Sequence, residues 1–234
     1  MAENGKMLHQ KEKIQDWSTE IKERVFHSFH RVPITVEELQ LKETTGTHQR
    51  VIDMVAHELI TKERIEEWKE LPGVAPGVDI SRDIVKLAAI ERHKNTGHVG
   101  LGFLGKYGLK KGAVATSIGH DSHNLVIAGV TDEDMVLAGN RVIENGGGLA
   151  IALEGKVLAD LPLPIGGLMA DEPVEVVDEK LEHMKKLSVE LGISEDIDAF
   201  MTLAFISLPV IPKLRLNTYG VVDVEKHQVV EARF

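Results

Sequence analysis

Residues 96–131 (TGHVGLGFLGKYGLKKGAVATSIGHDSHNLVIAGVT) constrain the fold most. Seven glycines precede His120 and separate short β-favouring runs at 99–104, 113–118 and 125–130. Glycines at 100, 102, 105, 108 and 112 mark bends, bulges and close backbone approach. The apolar run within DIVKLAAIERH (83–93) reads as another strand.

Beyond Val130 the period changes. DEDMVLAGNRVIENG carries acidic residues at its start, Asp132 as an N-cap, and Met135, Val136, Ala138, Val142 and Ile143 at helical spacing before Gly146. GLAIALEGKVLADLPL reads as a hairpin turning at Glu154-Gly155. PVEVVDEKLEHMKKLSVELG is the clearest helix, with Pro173 at its start, Gly192 at its end and one apolar stripe. AFMTLAFISLPVIP is a second apolar segment stopped by prolines, and LRLNTYGVVDVEKHQVV closes the chain as a hairpin. Strands and helices thus follow in irregular order. The class is α+β, with mixed, largely antiparallel sheet packed with a few helices and no complete (β/α)8 barrel.

The part before Pro76 has a different texture. Residues 1–31 are polar, with Ile14, Trp17, Ile21 and Val25 in weak helical spacing. VPITVEELQLK follows, with an extended start at Pro33 and a short turn at Glu37-Glu38-Leu39. RVIDMVAHELIT (50–61) leans to β, and KERIEEWKELPG is a charged segment. The breaker PGVDIS at 76–81 divides a polar N-terminal segment plus β-rich subdomain (1–75) from a domain over 76–234.

Charge and composition narrow the function. Lys plus Arg is 27 against 37 Asp plus Glu, a net charge of −10. That balance argues against nucleic acid and anionic lipid as partners, since both draw on clustered cations. With no cysteine, thiolate catalysis, disulfides and Cys-ligated zinc are excluded. No apolar run approaches the ~20 residues of a membrane span, and the polar N-terminus lacks a signal-peptide core. The expectation is a cytoplasmic protein.

The densest polar cluster is Gly119-His120-Asp121-Ser122-His123-Asn124, set between the apolar runs VATSI and LVIAGV. Histidines and an aspartate can ligate metal or serve as general acid and base. On a regular strand His120 and His123 point to opposite faces, so only a bulge or turn brings them together. The bland reading is a polar turn. Glu91-Arg92-His93, at the end of an apolar strand, either lines a site or is a strand emerging into water. His98 adds unspecific ligand spacing. Asp171-Glu172 before Pro173 read as caps of the helix that follows. His57-Glu58-Leu59-Ile60-Thr61 lacks the second His of HExxH, GLGFLG is not followed by a helix, and His27 and His30 read as solvated.

ERHKNTGHVGLGFLGKYGLKKGAVATSIGHDSHNLVIAGVTDEDM, then GGGLAIALEGKVLADLPLPIGGLMADEP, then DAFMTLAFISLPVIPKLRLNTYGVVDV closely resemble the C-terminal domain of the bacterial adenine deaminase family, of the amidohydrolase superfamily. The likeness covers residues 80–225. Residues 32–75 are similar to the family's preceding β-rich segment. The resemblance implies conversion of adenine and water to hypoxanthine and ammonia by a metal-activated water. It implies a divalent metal (manganese, iron or zinc) held by an upstream barrel that begins with a His-x-His motif. The present chain has no His-x-His pair and no run of strand–helix units long enough for a barrel of ~200 residues. It therefore resembles the C-terminal portion of such an enzyme, inactive alone, with the barrel as partner in the same polypeptide or in trans.

On the family's motifs, His120, Asp121 and His123 are the expected catalytic residues. Glu91, Arg92, His93, Ser122 and Asn124 are expected to bind an adenine-like purine, and no metal ligand is assigned within this chain. The alternative is a non-catalytic purine-binding or assembly domain. LPLPIGGLM and FISLPVIP are the expected apolar face, for the barrel or for a homo-oligomer.

Overall fold

The computed structural model describes residues 2–3, 6–7, 18–41, 45–55 and 57–234. In chain order the elements are β1 (Ala2–Glu3), β2 (Lys6–Met7), α1 (Thr19–Phe26), β3 (His48–Met54), β4 (Thr61–Glu67), β5 (Ile84–Ile90), β6 (Val99–Gly105), β7 (Ala113–Thr116), β8 (Leu125–Gly129) and α2 (Asp132–Glu144). There follow β9 (Gly148–Leu153), β10 (Lys156–Pro162), α3 (Val174–Glu190), α4 (Ala199–Ile206), β11 (Leu214–Asn217), β12 (Gly220–Asp223) and β13 (Gln228–Val230). Single 3-10 turns cover Glu37–Leu39 and Ile80–Arg82.

An open eight-stranded sheet, ordered β10-β9-β7-β8-β5-β6-β3-β4, carries the fold. Only β3 and β6 pair in parallel; every other neighbouring pair is antiparallel. A second sheet, β11-β12-β13, packs beside it. The expected α+β class with mixed sheets and no closed barrel is what forms.

The central strands β5, β7 and β8 are buried along their whole length, which is why they read as continuous apolar runs rather than alternations. The pleat sorts them onto two faces. Val85, Leu87, Val114, Val126 and Ile151 join α3, α4 and β11 in one core. Ala88, Ala113, Ala115, Ala150 and Ala152 meet α2 in the other, with Ile34 and Leu39 closing it. These small residues let the helix lie close. A Cβ on Gly129 would sit 2.3 Å from Met135, and one on Gly139 would sit 2.6 Å from Ile127.

Helix α2 begins one residue earlier than expected, with the Thr131 hydroxyl accepting from the Asp134 N–H, so Asp132 is not the cap. Lys86 explains why. It stands in the middle of β5, 1% exposed, and its ammonium donates to Asp132 at 2.6 Å. Gln40 donates to the other carboxylate oxygen at 2.8 Å. Burial lowers the Lys86 pKa, and the Asp132 carboxylate opposes that shift.

Three local expectations are corrected. The charged segment after Thr61 is β4, an edge strand whose Arg64 and Glu66 belong to a partly buried ion-pair group with Asp53 and Arg82. Helix α3 starts at Pro173 with no side-chain cap, so Asp171 and Glu172 do not cap it. The apolar stretches 161–169 and 205–212 do not form continuous outer faces: Leu161, Leu163, Ile206 and Leu208 are core, and Met169, Pro209, Val210 and Pro212 are exposed. The turn at 37–39 and the hairpin at Glu154-Gly155 form as expected; both hairpin residues have positive φ (50° and 75°). Ile21 and Val25 lie on α1, whereas Ile14 and Trp17 lie outside the described residues. Among the described residues no helix is long and apolar enough to cross a membrane.

Candidate functional site at the end of the central strands

The two polar motifs meet at one corner of the large sheet. Ile90 of β5 pairs with Leu125 of β8, so residues 91–93 leave β5 beside the loop that enters β8. Residues 119–124 form a tight turn, not a strand. Asp121 and His123 both take left-handed backbone conformations (φ 61° and 48°), and the His123 N–H donates to the Gly119 carbonyl at 2.7 Å. Aspartate tolerates that region better than most residues. The His120 N–H donates to Ala204 at 2.9 Å, fastening the turn to α4.

His120, Asp121 and Ser122 are exposed, and His123 and Asn124 are half-buried. The His120 Nδ1 lies 3.1 Å from the Asp121 carboxylate, and its ring sits 5.2 Å from that of Phe205. The His93 Nε2 lies 2.7 Å from the Ser122 carbonyl. A carbonyl only accepts, so His93 carries its proton on Nε2 and keeps Nδ1 as the basic nitrogen. The His123 pKa is lowered, first by burial and then by the charges of Arg92, His93 and His120, with Asp121 opposing. Asn124 keeps a buried Oδ1 with no partner among the described residues.

Glu91 and Arg92 turn away from the imidazoles. The Glu91 carboxylate accepts from the N–H groups of His93, Lys94 and Thr96 at 2.6–2.9 Å and from the Thr96 hydroxyl at 3.0 Å. Arg92 is 1% exposed. Its guanidinium donates to the carbonyls of His123 (2.5 Å), Gly166 (3.0 Å) and Ser28 (3.4 Å), and lies 4.8 Å from the centre of the Phe29 ring. Burial lowers its pKa to about 10 against the pull of Glu91, so it stays charged at neutral pH. Among the described residues no carboxylate is in ion-pair contact with it.

Two apolar clefts flank the corner. One of ≈ 170 Å³ is lined by Leu59, Ile60, Met201 and Phe205 among others, and one of ≈ 230 Å³ by Ile118, Leu149, Phe200 and Met201 among others. The His98 carbonyl accepts from the Glu91 N–H at 3.0 Å, and its ring sits 4.8 Å from that of Tyr219. His27 and His30 are exposed. Among the described residues no three His, Asp or Glu side chains are grouped to hold a metal ion. The donors of this corner therefore do not fit the divalent metal that the resemblance implies.

Sequence reasoning missed the inward role of Arg92 and the Lys86–Asp132 pair. The second had a signal: one lysine inside the apolar run IVKLAAI needs a buried partner. The first had none, because all three partners of Arg92 are backbone carbonyls.

A family model described as the adenine deaminase C-terminal domain matches residues 58–228. Similar curated proteins include adenine deaminase 2 of Carboxydothermus hydrogenoformans, 42% identical over 98% of this chain and 39% of its own length. The adenine deaminase of Lysinibacillus sphaericus is 38% identical over 99% of the chain and 39% of its own. That of Kosmotoga olearia is 43% identical over 98% and 38%. The chain thus spans about two fifths of the length of these relatives. On the strength of these matches, the chain belongs to the adenine deaminase family and corresponds to that family's C-terminal domain.

Proposed function

We propose that this chain is the C-terminal part of a metal-dependent hydrolase that converts adenine and water to hypoxanthine and ammonia, and that it completes an active site with an upstream barrel, in the same polypeptide or in trans. The observation that carries the reading is the meeting of 91–93 and 119–124 at one sheet corner, with three imidazoles around an exposed turn. By resemblance, residues of the barrel and not of this chain would hold a divalent metal, manganese, iron or zinc, whose chemistry when bound is activation of water. The present residues would work around it. His120, paired with Asp121, would carry a proton between water and the departing ammonia. His123, whose lowered pKa keeps it neutral near pH 7, can donate or accept at the purine edge. Ser122 and Asn124 add hydrogen-bonding groups. Glu91, Arg92 and His93 hold the corner's backbone. The chain is inactive alone and self-associates.

The test is adenine deamination by the chain alone and by the chain combined with the upstream part of a family member, each with manganese, iron or zinc. Turnover is expected only in the combination, falling by about 10²–10⁴-fold in His120→Ala or His123→Ala. Full activity of the chain alone, or of the combination carrying both substitutions, overturns the reading. The non-catalytic alternative is favoured by the position of the imidazoles outside the two apolar clefts. It predicts calorimetric binding of adenine to the chain with no loss of activity in the two variants.

A further inference from the structure

Adjacent residues 92 and 93 hold adjacent carbonyls of the turn: Arg92 that of His123, His93 that of Ser122. Arg92 also reaches Gly166 and Ser28. Both of these segments are tied together independently, since the Gly166 N–H donates to Val25 at 2.8 Å, and the His30 N–H donates to the Arg92 carbonyl at 2.7 Å. Gly167 makes room for the guanidinium. A Cβ there would lie 2.8–2.9 Å from its carbon and nitrogens, and the residue has a positive φ of 73°. A buried cation without a carboxylate partner is costly unless its donors are satisfied. Here three carbonyls and the Phe29 ring face supply that compensation.

We infer that Arg92 is a positioning residue: it locks the turn 119–124 to the N-terminal strap 25–30 and to the loop at 166–167, so that the orientation of the turn depends on the strap being seated. The strap thereby becomes part of the site's framework. This deepens the deaminase reading, but its measurement needs no turnover.

Amide hydrogen exchange by NMR on the full chain tests it, in Arg92→Met, Arg92→Lys and Gly167→Ala. In Arg92→Met the Ser122 and His123 amides should exchange about tenfold faster or more, while Val126 and Ile127 in β8 keep their protection. Gly167→Ala, which keeps Arg92 but displaces it, should show the same pattern, and it carries the test if Arg92→Met does not fold. Arg92→Lys should lie between, since an ammonium cannot span three carbonyls. The imidazole titration of His123, held low first by burial and next by the charge of Arg92, should also move upward in Arg92→Met and stay lower in Arg92→Lys; His93, His120 and Asp121 are the other charges that act on it. Unchanged exchange of the turn, or exchange that rises equally in turn and β8, overturns the inference. So does an unmoved His123 titration in Arg92→Met. A deaminase assay that fails while the exchange pattern holds removes the functional reading and leaves Arg92 as the lock of the turn.

Discussion

At Glu91 a single carboxylate organises the loop that leaves β5. Burial alone would raise its pKa, but the N–H groups of Thr96, Lys94 and His93 and the Thr96 hydroxyl outweigh burial and hold it at about 2 against an ordinary 4.5. A carboxyl with a depressed folded pKa stabilises the fold above its unfolded value and loses that contribution as pH falls from about 4.5 towards 2. Glu91→Gln should therefore be less stable than wild type at pH 7, by ~1–2 kcal/mol after solvent screening. The difference should shrink steadily as pH falls from 4.5 towards 2 in denaturant titrations, because the unfolded chain protonates Glu91 first and the folded chain only near 2. A difference that stays constant down to pH 2.5 would show that the charge of Glu91 contributes nothing. How much of this corner was legible follows residue by residue. HDSHN was conspicuous because polar side chains interrupt apolar runs. Its turn geometry was not, since two left-handed residues without glycine leave no signature. Arg92 was legible as a charge at a strand end, but its partners lie 31, 64 and 74 residues away and are backbone atoms.

At the scale of elements, β5 and α2 are joined by the Lys86–Asp132 pair through the smaller of the two cores. Removing one partner leaves the other charge buried and unpaired, which costs about 3–5 kcal/mol. Asp132→Ala should lower stability by that amount in chemical denaturation. The double variant Lys86→Met, Asp132→Leu should recover most of the loss, because no uncompensated charge remains. Equal instability of single and double variants would show that packing, not charge, dominates there. The elements that the sequence announced share a cause. The strands β5 to β9 are uniformly apolar or glycine-punctuated, and α2 and α3 have clear stops and periodicity. Those it hid also share one. β4 is an edge strand whose exposed positions break the apolar pattern. The apolar stretches at 161–169 and 205–212 looked like outer surface because sequence carries no sign of which long-range partner will cover them.

For the whole molecule, a net charge of −10 disfavours polyanions as partners, and several large apolar side chains are exposed. Met169, Val174, Met201 and Val210 are more than half exposed (59%, 72%, 54% and 68%). Light scattering should accordingly return a mass of at least two 25.8 kDa chains; a monomer at concentrations of tens of micromolar or above, where a weak dimer would form, would count against self-association. The match to 38–39% of each relative's length gives the molecule a simple logic. Its open sheet separates two cores, and its polar turn lies on the outside.

The pleat of β5 reaches further than the strand. Lys86, Ala88 and Ile90 face the α2 side, and Arg92 continues their even-numbered row to meet Phe29 and the strap. One residue inserted or deleted inside this strand would reverse that parity. Glutamate or histidine would then be thrust inward among carbonyls and aromatic carbon, and the guanidinium would swing out into water. Descendants of this domain can lengthen or recolour their loops, but the spacing along this one ribbon is a counting rule they must keep.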